Sequence, residues 1–151
     1  MDDEQILEQI KRLSVWSGHR QMTIEDIARI QPGLARIMPE IGTRTWKLYY
    51  AAQAENWPLA AFQAKEIRGL LDLCAFTRPK HADALRQFLE KNWQPVQDAI
   101  GKMDRAAFED AFHKSIKAAN AYHKLKGKPY LLWKLPDVPP PDLEMQPQAD
   151  G

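Results

Sequence analysis

Along most of the chain apolar residues recur every three to four positions with polar residues between them, which is the period of amphipathic helices. Ile6, Leu7, Ile10 and Leu13 make the first stripe and Gly18 ends it, so residues 3 to 16 are predicted as a short amphipathic helix. Thr23-Ile24-Glu25-Asp26 has the form of a capping box and predicts another turn or two, interrupted at Pro32 and Gly33. From Leu34, the positions Ile37, Met38, Ile41, Leu48, Tyr49 and Ala52 predict the first long helix, helix A. Pro39 lies inside it, and its ring clashes with the carbonyl four residues back, which predicts a kink or a restart. Pro58 suits the first position of helix B, whose stripe is Ala60, Ala64, Ile67, Leu71 and Cys74. Arg78-Pro79 breaks the pattern, because the residue before a proline is pushed out of helical geometry. Helix C carries Leu85, Leu89, Val96 and Ile100, with a further kink expected at Pro95. Asp104 caps helix D, whose stripe runs Phe108, Phe112, Ser115, Ala119 and His123.

After Gly127 the character changes: six of the 11 prolines lie between Pro129 and Pro147, so the tail is not helical. Tyr130, Leu131, Leu132 and Trp133 are too apolar to float free and are expected to run extended over the helices before Pro139-Pro140-Pro141 leads into disorder. Internal repeats and strand-like alternation of useful length are not seen. Four long helices joined by short loops predict an all-α fold, an antiparallel up-down-up-down four-helix bundle. The expected organisation is an N-terminal amphipathic helix at 1–22, a four-helix bundle domain at 23–127 and an extended proline-rich tail at 128–151.

Charge narrows the partners. Lys and Arg number 21 against 20 Asp and Glu, a formal net of +1, which gives no global field for nucleic acid or an anionic membrane surface. Lys114, Lys117, Lys124, Lys126 and Lys128 read as a solvated face that also complements the C-terminal dipole of helix D. With Cys74 alone, an intrachain disulfide and a cysteine-based zinc site are excluded. Met1-Asp2-Asp3-Glu4 is acidic where a secretory leader is basic, and no apolar run follows, so a soluble, cytoplasmic protein is expected.

Candidate chemistry sits at the end of helix D. In an antiparallel bundle the start of helix A and the end of helix D lie side by side. Met38 is about 24 Å from the end of helix A and His123 about 28 Å from the start of helix D, so the two arrive at similar heights. A covalent c-type haem site reads C-x-x-C-H, two thiols tethering the porphyrin and the histidine turning onto iron. Here those positions are Ala119, Tyr122 and His123, so the thiols are absent and the ligand remains. The order of elements, the methionine on helix A and Asn120-Ala121-Tyr122-His123 on helix D resemble the four-helix-bundle cytochromes, the cytochrome c-prime class and its non-covalent b-type relative. Lys47-Leu48-Tyr49-Tyr50-Ala51, Asn56-Trp57 with Ala60, and Lys128-Pro129-Tyr130 with Leu135-Pro136 are similar to c-type-like relatives of the same bundle. The likeness covers about residues 30 to 126. It implies His123 as an iron ligand, Met38 as the opposite one, Tyr122 and Ala119 beside the porphyrin, non-covalent haem b and no haem c, and a role in electron transfer or in haem or small-ligand sensing.

Two other readings stand beside that one. The bundle can be cofactor-free, with His123 a hydrogen-bonded residue at a helix end, Met38 a core filler, and the protein a structural or interaction module. Its N-terminal helix can pair with its copy in a homodimer or dock on its own bundle. Catalysis is not expected. No glutamate lies three residues before a histidine as a di-iron site needs, Asp110-x-x-His113 is the nearest approach, and Ser115 is two turns from His123.

Overall fold

A computed structural model describes residues 1–149 of the chain; the last two residues of the expected tail lie outside the described residues. The described chain is mostly helical, and no described helix is long and apolar enough to cross a membrane. It divides into two compact units, the first Met1–Pro32 and the second beginning at Gly33.

The first unit opens with α1, Asp3–Arg12. Asp2 and Gln5 cap it reciprocally, Asp2 Oδ1 accepting from the Gln5 amide at 2.8 Å and Gln5 Oε1 from the Asp2 amide at 3.1 Å, which satisfies two free donors of the first turn. The chain then turns back on itself: β1, Ser14–Trp16, pairs antiparallel with β2, Gln21–Thr23, with Val15 opposite Met22. Gly18 takes φ +93 in the connecting loop, a conformation glycine adopts without steric cost. This hairpin replaces the end of the expected first helix. The predicted capping box is present, Thr23 and Asp26 exchanging bonds of 3.0 Å at the start of α2, Ile24–Arg29. Because β2 runs directly into α2, the division falls at Pro32 and Gly33 rather than at residues 22 and 23.

The second unit contains α3 (Leu34–Gln53), α4 (Trp57–Thr77), a 3-10 turn (Pro79–His81), α5 (Ala82–Phe88), α6 (Gln94–Gly101) and α7 (Arg105–Leu125). Helix α3 continues through Pro39 without a restart. Between α5 and α6 the helix is unbroken but widens into a π turn at Leu89–Trp93, just before Pro95. Widening removes the need for a proline N–H and makes room for its ring, so the expected distortion takes this form. Asn56 caps α4 and Asp104 caps α7. Helix α3 packs along α4, α6 along α7, α4 against α6, and α3 against α7. The predicted stripes face this core. Ile37, Ile41, Leu48 and Ala52 from α3 are buried, as are all five stripe residues of α4, all four across α5 to α6, and Phe108, Phe112 and Ser115 from α7.

Candidate functional site

The last turn of α7 is closed by a left-handed residue. Gly127 has φ +74, the Lys128 amide donates to the His123 carbonyl at 2.9 Å, and the Gly127 amide donates to Lys124 at 3.1 Å. This paired C-terminal cap satisfies two helix-end carbonyls and sends the chain back towards the helix it has just left. Residues 128–149 then run as a strap over the second unit. The Tyr50 hydroxyl donates to the Pro136 carbonyl, Lys47 Nζ pairs with Asp142 at 2.6 Å, and Asn56 Nδ2 donates to the Met145 carbonyl at 3.2 Å. Met145 itself is buried. The segment after Pro141, expected to lead into disorder, is therefore tied to α3 and its loop.

His123 and Asn120 begin this strap. The His123 Nδ1 lies 2.9 Å from the Leu131 carbonyl oxygen, and since a carbonyl only accepts, Nδ1 carries the proton and the neutral ring has its lone pair on Nε2. One turn earlier, Asn120 clamps the backbone of Trp133, accepting from its N–H at 2.7 Å and donating to its C=O at 2.9 Å. The clamp sets the indole against three neighbours. It meets His123 edge-on at 6.2 Å between centroids and Trp46 at 5.6 Å, and it lies over Gly42, where an added Cβ would be 3.8 Å from the ring. Gly42 gives α3 a flat place for the indole. Trp133 therefore bridges α3 and His123 of α7.

The other residues singled out by sequence have the following surroundings. Met38 is half-buried, packed on the apolar core one turn before Gly42. His123 instead contacts Leu131 and Trp133. Ala119 is half-buried on α7. The Tyr122 hydroxyl and His81 Nδ1 share a hydrogen bond of 3.2 Å, tying α7 to the turn after α4, and Lys126 stands over the Tyr122 ring at 5.5 Å. Burial pushes the Tyr122 phenol up. Burial, then Lys80 and Lys126, push the His81 imidazole down, so it stays neutral to lower pH than a free histidine.

A second polar cluster, not expected from the sequence, gathers on Glu109. Tyr49 and His113 both donate to its Oε1 at 2.9 Å, Gln53 donates to Oε2, and Arg105 donates to Gln53 at 2.9 Å. Burial raises the Glu109 carboxyl, but the bonds from His113, Tyr49 and Gln53 outweigh it and leave it below the usual range. Burial and then the Glu109 carboxylate push the Tyr49 phenol up to about 12. These bonds tie α3 to α7. Asp110, the nearest approach to a di-iron motif with His113, is paired with Lys114 at 2.6 Å. The signal for this second cluster was weak in sequence, since Tyr49 and Gln53 stand 60 and 56 residues from Glu109. No family model, no curated protein and no solved structure matches the chain.

Proposed function

We propose that this chain is a cofactor-free, antiparallel four-helix bundle with a cytochrome-like order of elements, that it acts as a protein-interaction module, and that its haem-like end serves to latch the C-terminal strap. The observation that carries the reading is Trp133. Its indole lies beside His123 and over Gly42, so the strap fills space between His123 and α3. Two other residues of the resemblance have partners of their own: Asn120 clamps Trp133, and Tyr122 bonds His81. Catalysis has no part in this reading.

A second reading keeps haem b, which His123 and Met38 would hold. It is supported by the proton on His123 Nδ1. Metal-ligating histidines commonly donate one ring N–H to a carbonyl and present the other nitrogen, and the Leu131 carbonyl provides that orientation. Bound haem would supply a redox-active iron for electron transfer or small-ligand sensing. The chain's part would be to turn Nε2 outward and to move the Trp133 indole aside. The two readings separate in the visible spectrum of protein produced with excess haem precursor. The cofactor-free bundle has no Soret band. A band that disappears in His123→Ala establishes the haem reading instead.

A further inference from the structure

We propose that the first unit is a dimerisation element, in which α1 pairs antiparallel with α1 of a second copy of this chain. This inference rests on the interaction-module reading and names its partner.

The first unit is ordered, with a reciprocal cap on each helix and a registered hairpin, yet none of its residues is buried. Units below about 40 residues seldom hold together without a disulfide, a metal or association with another chain. The sole cysteine, Cys74, lies outside it, so a disulfide is unavailable. Its apolar side chains are outside instead of inside: Leu7 is 51% exposed, Leu13 61% and Trp16 66%, and Ile6 and Ile10 are exposed beside them. Ile6, Leu7 and Ile10 share one face of α1 by their 3.6-residue spacing, and Leu13 follows at its C-cap. Within the unit α1 packs on α2, yet the stripe stays exposed, and that exposed face is what the helix of a second copy covers.

Charge selects the second helix. Asp3 and Glu4 stand in the first turn of α1, and Lys11 and Arg12 in the last. Glu4 and Lys11 are seven residues apart and so lie on the same flank of the apolar stripe. In an antiparallel pair like flanks face each other, and setting Leu7 level with Ile10 of the copy brings each Glu4 within about 3 Å in height of the opposite Lys11. Both ends then gain an ion pair by one two-fold operation, which makes the surface self-complementary. A parallel pair would instead set the flank of Glu4 and Lys11 against that of Gln5 and Arg12, bringing Lys11 beside Arg12 and giving Glu4 no cation. Lys11 already holds Glu8 of its own helix at 2.8 Å, and its side chain can bridge the two carboxylates.

The test is the mass of the full chain by sedimentation and light scattering over a concentration series, with the visible spectrum taken on the same samples, so that loss of the dimer and appearance of haem are separate results. Wild type is expected at twice 17.4 kDa. Leu7→Asp, at an exposed position, is expected to give a monomer with unchanged helical circular dichroism. Glu4→Lys and Lys11→Glu are each expected to weaken self-association by roughly 2- to 30-fold, as two exposed ion pairs per dimer allow. Mixed one to one, those two variants regain the dimer, because each Lys now meets a Glu. Wild type that stays monomeric to about 100 µM overturns the proposal, since that corresponds to a negligible affinity for a specific dimer. So does a dimer indifferent to Leu7→Asp, or a mixture no more dimeric than its components.

Discussion

Removing the Asn120 side chain should release the C-terminal strap while leaving the helices standing. Asn120→Ala deletes both bonds that hold the backbone of Trp133, at 2.7 and 2.9 Å. A net hydrogen bond contributes about 0.5–1.5 kcal/mol, and the half-buried Trp133 groups regain some water, so the expected loss is about 1–2 kcal/mol. That energy multiplies the population of the detached strap by about 5–30. Lys134 is exposed one residue beyond the clamp and gives a tryptic site that is cut when the strap lifts. Cleavage after Lys134, followed by mass spectrometry, should accelerate by the same 5- to 30-fold while helical circular dichroism is unchanged. If the strap lifts only together with global unfolding, the melting temperature falls instead by about 2–8 °C for a chain of this size. Equal cleavage rates and equal melting temperatures in variant and wild type would refute the clamp.

Gly42→Ala should be tolerated and should raise stability by up to about 1 kcal/mol in a chemical melt, since the new Cβ meets the indole at ordinary contact distance and helix propensity improves. Gly42→Leu, by contrast, should displace Trp133 and reproduce the Asn120→Ala cleavage pattern. Met103 holds φ 52 in the turn before α7, so Met103→Gly should stabilise the chain by about 1 kcal/mol, read as a shift in denaturant midpoint. The folded carboxyl of Glu109 titrates below its ordinary 4.5, so its contribution is present above that value and is lost as pH falls through the folded pKa. The stability gap between wild type and Glu109→Gln should therefore close on acidification below pH 4.5. Tyr49 has the opposite sign: its stabilisation is complete below pH 10 and lost as pH rises towards about 12, and one phenol should titrate that late by absorbance.

The helices of the second unit were legible because each carries a stripe with the right period and a recognisable stop. Pro58, Asp104 and Gly127 marked ends that the structure uses. The hairpin was not legible, since three-residue strands are too short for alternation to register, and Gly18 reads equally as a helix stop or as a turn. Proline content suggested a free tail beyond Pro141, whereas Lys47, Tyr50 and Asn56 supply anchors that lie 86 to 95 positions away in sequence. The candidate site was half legible. Periodicity put His123 on the stripe of Phe108 and Phe112, but those two are buried and His123, at the helix end, is only partly covered. The residue that covers it, Trp133, carries no local sign of doing so, because its position depends on the Gly127 reversal and the Asn120 clamp together.

The central claim is that the space beside His123 belongs to the strap. It is tested most directly by titrating haemin into the purified full chain, wild type and Trp133→Ala in parallel, and following the Soret region. The account predicts only weak, unsaturable absorbance in the wild type, unchanged by His123→Ala. A saturable one-to-one Soret band in the wild type, removed by His123→Ala, would contradict it and make the end of α7 a haem site.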